Sequence, residues 1–140
     1  MKKKIYIASD HAGYDLKSHI LNSNRNNIVD LGTNSNESVD YPDFANSLVN
    51  NIKSDNKSIG ILICGSGIGM SIAANRDPII RAGLAFNPEI ARLMRQHNNA
   101  NVLILPGRFI NIQDALNCVD IFLSTEYESG RHQERINKIK

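Results

Sequence analysis

A chain of 140 residues, 41% of them hydrophobic and 21% charged, suits one domain with a sizeable buried core. A formal net charge of +2, with no basic block interleaved with aromatics, argues against nucleic acid as a partner. No apolar run approaches the ~20 residues that cross a bilayer and the amino terminus enters a strand directly, so neither a membrane span nor a signal peptide is expected and the expected compartment is cytoplasmic.

Lys2-Lys3-Lys4 reads as a solvated lead-in to a first strand, Lys4-Ile5-Tyr6-Ile7-Ala8. The polar tip Ser9-Asp10-His11 follows, and Ala12, Leu16 and Ile20 then mark one face of a helix. Ile28-Val29-Asp30-Leu31 predicts a second strand, ended by Gly32 and a polar loop over residues 33–40. A second helix opens near Pro42, with Tyr41, Phe44, Ala45, Leu48, Val49 and Ile52 at helical spacing. The third strand is the unbroken apolar run Ile61-Leu62-Ile63 ending at Cys64. It turns through the alternate glycines Gly65, Gly67 and Gly69 into a helix read from Ser71-Ile72-Ala73-Ala74-Asn75, which closes before Asp77-Pro78. Residues 81–86 predict a fourth strand, after which Asn87, Pro88 and Glu89 supply a cap, a first-turn proline and an acid for a helix reaching about Gln96. Residues 101–105 form the fifth strand, followed by Pro106-Gly107-Arg108. Asn111 caps a helix whose apolar face is Ile112, Ala115, Leu116, Val119, Phe122 and Leu123, and a last short helix after Gly130 carries Arg131 and Arg135.

Five strands alternating with helices predict a three-layer, doubly wound α/β fold with a five-stranded parallel sheet, Rossmann-like in plan. It is read as one domain over residues 1–140 that ends in a C-terminal helix. Ligands of such sheets lie beyond the carboxyl ends of the strands, where the strand order reverses. If strands one and three are neighbours, Asp10 and His11 share a crevice there with the loop after Cys64. A thiol then stands beside main-chain N–H groups that glycine exposes at a helix start, an arrangement able to hold a phosphate or an oxyanion. Met70 occupies the place where a dinucleotide loop needs its third glycine, where a P-loop needs lysine and where a cysteine phosphatase loop needs arginine. The loop alone reads equally as a tight turn beside an inert, buried cysteine.

The other polar positions are also open to two readings. Asp10 is a natural N-cap, and His97 at the end of the fourth helix complements a helix dipole. Within one subunit His97 should face the opposite edge of the sheet, reaching the crevice only across a subunit contact. Arg131 and Arg135, one turn apart, could grip one phosphate or simply be solvated. Only Cys64 and Cys118 are present, the latter in a helix's apolar pattern, so no disulfide framework is expected. The histidines, His11, His19, His97 and His132, lack ligand spacing, and no metal is expected.

Six blocks in order, Ser9-Asp10-His11-Ala12-Gly13, Asp40-Tyr41-Pro42-Asp43, Ile63-Cys64-Gly65-Ser66-Gly67-Ile68-Gly69, Ser71-Ile72-Ala73-Ala74-Asn75, Arg95-Gln96-His97-Asn98 and Gly130-Arg131-His132-Gln133-Glu134-Arg135, closely resemble the type B ribose-5-phosphate isomerases. That superfamily also includes galactose-6-phosphate and allose-6-phosphate isomerases. The resemblance implies interconversion of ribose 5-phosphate and ribulose 5-phosphate through an enediolate, in the non-oxidative pentose phosphate branch, with no metal or cofactor. It implies that Cys64 is the base moving a proton between C1 and C2, a task for a thiolate that helix and loop donors favour. The N–H groups of Gly65, Ser66, Gly67, Ile68 and Gly69 would hold the developing oxyanion, and Ser66, standing where many relatives have threonine, would keep an assisting hydroxyl. His97 matches the acid that opens the furanose ring, with Asn98 beside it. Asp10 and His11 match sugar and phosphate contacts, and Arg108, Arg131 and Arg135 the remaining phosphate grip. The resemblance further implies a homodimer, sometimes paired into a tetramer, with the site built from two chains.

The rival substrate is a six-carbon sugar phosphate, allose or galactose 6-phosphate, which asks only for more room at the polar rim. A phosphoacceptor signalling domain shares the length and the alternation of elements. It needs an aspartate at the end of strand three, where this chain has Cys64. A nucleotide-binding module lacks its third glycine and its ribose-binding acid.

Overall fold

The computed structural model describes residues 3–23 and 27–139. Five parallel strands, β1 (Ile5–Ser9), β2 (Ile28–Asp30), β3 (Ile59–Cys64), β4 (Ala82–Leu84) and β5 (Val102–Pro106), form one sheet in the order β2-β1-β3-β5-β4. Among the described residues six α-helices accompany them: α1 (Tyr14–Asn22), α2 (Tyr41–Ser54), α3 (Ile68–Ala74), α4 (Pro88–Asn98), α5 (Ile112–Ser124) and α6 (Arg131–Ile136). Every residue of β1, β3 and β5 is buried, which is why these strands read as continuous apolar runs.

Alternate side chains of the central strands divide the core in two. Ile5, Ile7, Ile61, Ile63, Leu103 and Leu105 pack with the inner faces of α1, α4 and α5. Tyr6, Ala8, Leu62, Cys64, Val102 and Ile104 pack with those of α2 and α3. The predicted three-layer α/β fold is therefore the observed one, and β1 and β3 are neighbours, as the shared crevice requires. Among the described residues no helix is long and apolar enough to cross a membrane. Lys3 and Lys4 of the lysine lead-in are exposed, and Lys2 lies outside the described residues.

Local chemistry explains most boundaries. Asn87 and Asn111 accept N–H bonds from Ile90 and Asp114 and so cap α4 and α5, as their positions predict. Three boundaries move. The helix after the glycine loop starts at Ile68 instead of Ser71, three residues sooner, because Gly67 takes φ 78° and completes the turn there. The fourth strand shortens to three residues: the Arg81 N–H donates to the Asn101 side chain at 2.8 Å instead of to a strand carbonyl, and Phe86 lies exposed beyond the other end. A 3-10 turn, His11–Gly13, precedes α1.

Candidate active site

The carboxyl ends of β1 and β3 meet at one crevice. Asp10 leaves β1 with its N–H donating to the Ile63 carbonyl at 3.2 Å, which ties it to β3. Its Oδ1 accepts from the N–H groups of Ala12 and Gly13 at 3.0 and 3.1 Å, so the capping role is real and occupies one carboxylate oxygen. His11 Nδ1 accepts the Val39 N–H at 3.2 Å, which in the neutral ring leaves the proton on Nε2. The backbone of Ser9 exchanges bonds with Gly32 and Thr33, drawing the 33–40 loop over the tip of β1. Ser9 Oγ, fully buried, has no hydrogen-bond partner among the described residues.

Cys64 is the last residue of β3 and only 5% exposed, in the core cluster shared with α2 and α3. The loop after it is shaped by close packing. A Cβ on Gly67 would fall 2.4 Å from Leu84 Cδ1, and one on Gly69 2.5 Å from Tyr41 Cζ. Arg108 lies against the bare Cα of Gly65, where an added Cβ would meet its Cδ and Nη1 at 3.5 Å. The backbone secures that approach, with Gly107 N–H donating to the Cys64 carbonyl and Arg108 N–H to the Gly65 carbonyl at 2.8 and 3.0 Å. Ser66 Oγ accepts the Ile68 N–H at 3.2 Å, leaving its own proton free to donate. That N–H is spent inside the loop, so the cradle offered to a ligand is narrower than five consecutive amides.

Asp10, His11, Cys64, Ser66 and Arg108 thus gather at one edge. His97, Asn98, Arg131 and Arg135 do not join them. The end of α4 lies beside the amino ends of β4 and β5, where the Asn98 carbonyl accepts from Arg81 Nε at 3.0 Å and Arg81 N–H donates to Asn101 Oδ1 at 2.8 Å. Pro106, paired with Cys64, stands at the other end of β5, so roughly 13 Å of strand separates the two groups. The last turn of α4 is held by the buried Arg95, whose guanidinium donates to the carbonyls of Ala100 and Thr125. Short α6 packs on α4 and brings Arg131 and Arg135 to the His97 end.

Three residues near these groups carry no role in the sequence reading. Tyr41, within the block Asp40-Tyr41-Pro42-Asp43, covers Gly69 with its ring. His132 stacks on His97, with ring centroids 4.3 Å apart and planes 14° from parallel, and Glu128 faces both. The signal for Tyr41 and for His132 lay in their motifs; the stack between two histidines far apart in sequence gave none.

The Ribose/Galactose Isomerase family profile matches residues 5–139. A putative sugar phosphate isomerase of Rickettsia conorii is 48% identical over 97% of the chain and 96% of its own length. A ribose 5-phosphate isomerase from Thermotoga maritima superposes with a TM-score of 0.95 at 52% identity, covering 99% and 98% of the two chains. The ribose-5-phosphate isomerase B of Mycoplasma genitalium, solved with ribulose-5-phosphate bound, gives 0.93 at 45% identity over 99% and 95%.

Proposed function

The chain belongs to the ribose/galactose isomerase family, and from that membership we propose that it interconverts ribose 5-phosphate and ribulose 5-phosphate, residues 1–140 acting as one domain. The observation that carries the reading is the M. genitalium relative holding ribulose-5-phosphate on a fold that matches this one along nearly its whole length. The crevice supports it, because a thiol at a strand end beside glycine-loop amides is what proton transfer next to a carbonyl requires.

In this reading Cys64, as thiolate, takes the proton from C2 of the open-chain aldose, and the electron pair moves to the carbonyl oxygen to give an enediolate. Amides of Gly65, Ser66, Gly67 and Gly69 hold that charge, each such donor being worth about 3 kcal/mol in a dry site. Return of the proton to C1 yields the ketose, with the free Ser66 hydroxyl helping to move protons between the oxygens. Asp10 and His11 orient the sugar, and Arg108 meets the phosphate from β5.

His97, which opens the furanose as an acid, and Asn98, Arg131 and Arg135 come from a second copy of the chain. The support is geometric: one chain holds both groups at opposite edges of its sheet, and neither is a complete site. The exposed side chains of Ile68 and Ile72, one turn apart on α3 beside the crevice, offer an apolar face for that second copy.

Initial rates with ribose 5-phosphate, allose 6-phosphate and galactose 6-phosphate test the substrate. Ribose 5-phosphate is expected to have the highest kcat/KM. A preference for either hexose phosphate would replace the pentose, and inertness toward all three would remove the activity.

A further inference from the structure

The His97 end contains a cluster that the reaction as written leaves unused. Glu128 Oε1 lies 3.6 Å from His132 Nε2 and 4.0 Å from His97 Nε2, while the two imidazoles stack. Three connections set this geometry. Glu128 N–H donates to the Gln96 carbonyl at 3.1 Å, Arg95 ties α4 to Thr125, and His132, buried at the start of α6, packs from the other side.

Two imidazoles and a carboxylate with ligand atoms within 4.8 Å of one another are a donor set that zinc accepts. The stack argues otherwise. An imidazole binds a metal along a lone pair in its own ring plane, and two stacked rings, centroids 4.3 Å apart and planes 14° from parallel, do not aim their in-plane lone pairs at one point within a bond length of ~2 Å. The arrangement fits orientation instead: one imidazole lies face to face on the other, with a carboxylate oxygen at the Nε2 edge of both.

We propose that Glu128 and His132 are positioning residues for His97, the stacked His132 ring fixing its plane and the Glu128 carboxylate holding its Nε2 edge and balancing its charge. This rests on the isomerase reading. There His97 gives its proton to the furanose oxygen as the C1–O4 bond breaks, and the C1 hydroxyl loses its proton to water. An acid with a free ring would have to find that orientation in every turnover.

A test follows from the two sugars. Ribulose 5-phosphate cannot close a furanose, because its O5 carries the phosphate, so exchange of its C1 proton with D2O needs Cys64 but no ring opening. Turnover of ribose 5-phosphate needs both. Glu128→Gln is expected to lower kcat with ribose 5-phosphate about tenfold or more, with KM and the ribulose 5-phosphate exchange rate held within about twofold. His132→Phe, which keeps a flat ring on His97, should retain more ribose 5-phosphate turnover than His132→Ala. Equal loss of exchange and turnover would mean a scaffold role and overturn the proposal, as would unchanged turnover in Glu128→Gln. Wild-type protein inert in both assays would instead sink the isomerase reading beneath it.

Discussion

The two cysteines of the chain sit on the same sheet's two faces and differ in what surrounds them. Burial, with Asp114 nearby, pushes the Cys118 thiol up to about 11, and it lies in the core between α5 and the sheet. At pH 8 only about one Cys118 in a thousand is then a thiolate, so iodoacetamide should leave it unlabelled in native protein and modify it once guanidinium unfolds the chain. Cys64 ends β3 beside the glycine loop, and Cys64→Ala is expected to cost at least ~100-fold in isomerase rate with the unfolding midpoint changed little. Wild-type rates in that variant would remove the thiol from the mechanism. Gly67 is the third decisive residue, since its φ of 78° and the Leu84 methyl 2.4 Å from a would-be Cβ leave no room for any side chain. Gly67→Ala should destabilise by roughly 1–3 kcal/mol in urea titrations and lose activity beyond that, because the amides move with the turn.

Among the elements, the crevice depends on β2 and its following loop as much as on the cysteine strand. Lys17 of α1 is 1% exposed and meets Asp30 Oδ1 at the end of β2 at 2.6 Å; the same oxygen accepts the Gly32 N–H at 2.9 Å. That carboxylate joins α1 to the segment bonding Ser9, just before Asp10 and His11. Asp30→Ala strands a buried ammonium and is expected to lower stability by about 3 kcal/mol, the low end for a broken buried pair because Asp30 is partly open to water. The urea midpoint should fall, and double substitution with Lys17→Met should recover part of it. None of this was readable from residue types: Lys17 and Asp30 look like surface charges until α1 lies across the sheet edge. The central strands were readable, because strands buried on both faces must be apolar at every position. So were the asparagine caps and the glycine turn, whose requirements are local. The start of α3, the shortened β4 and the His97–His132 stack depend on a left-handed glycine, on the Asn101 side chain taking the Arg81 N–H and on α6 meeting α4. Contacts of that kind leave no periodicity.

At the level of the whole molecule, the decisive fact is that one sheet keeps Cys64 at one edge and His97 at the other. If one site draws Cys64 from one chain and His97 from its partner, the two defects complement each other when mixed. Cys64→Ala chains still offer an intact His97 end, and His97→Asn chains an intact Cys64 crevice. In a two-fold dimer the mixed species has one site with both groups and one with neither. Random exchange makes about half the dimers mixed, so two variants nearly inert toward ribose 5-phosphate should recover about a quarter of wild-type activity after denaturation and joint refolding. A chain carrying both substitutions, refolded with wild type, gives mixed dimers whose two sites each lack one group. Such a mixture should also fall to about a quarter of the activity of wild type alone, where independent sites would keep half. Activity that simply averages the separate variants would mean that each chain works alone, and His97 would then have no route to the sugar.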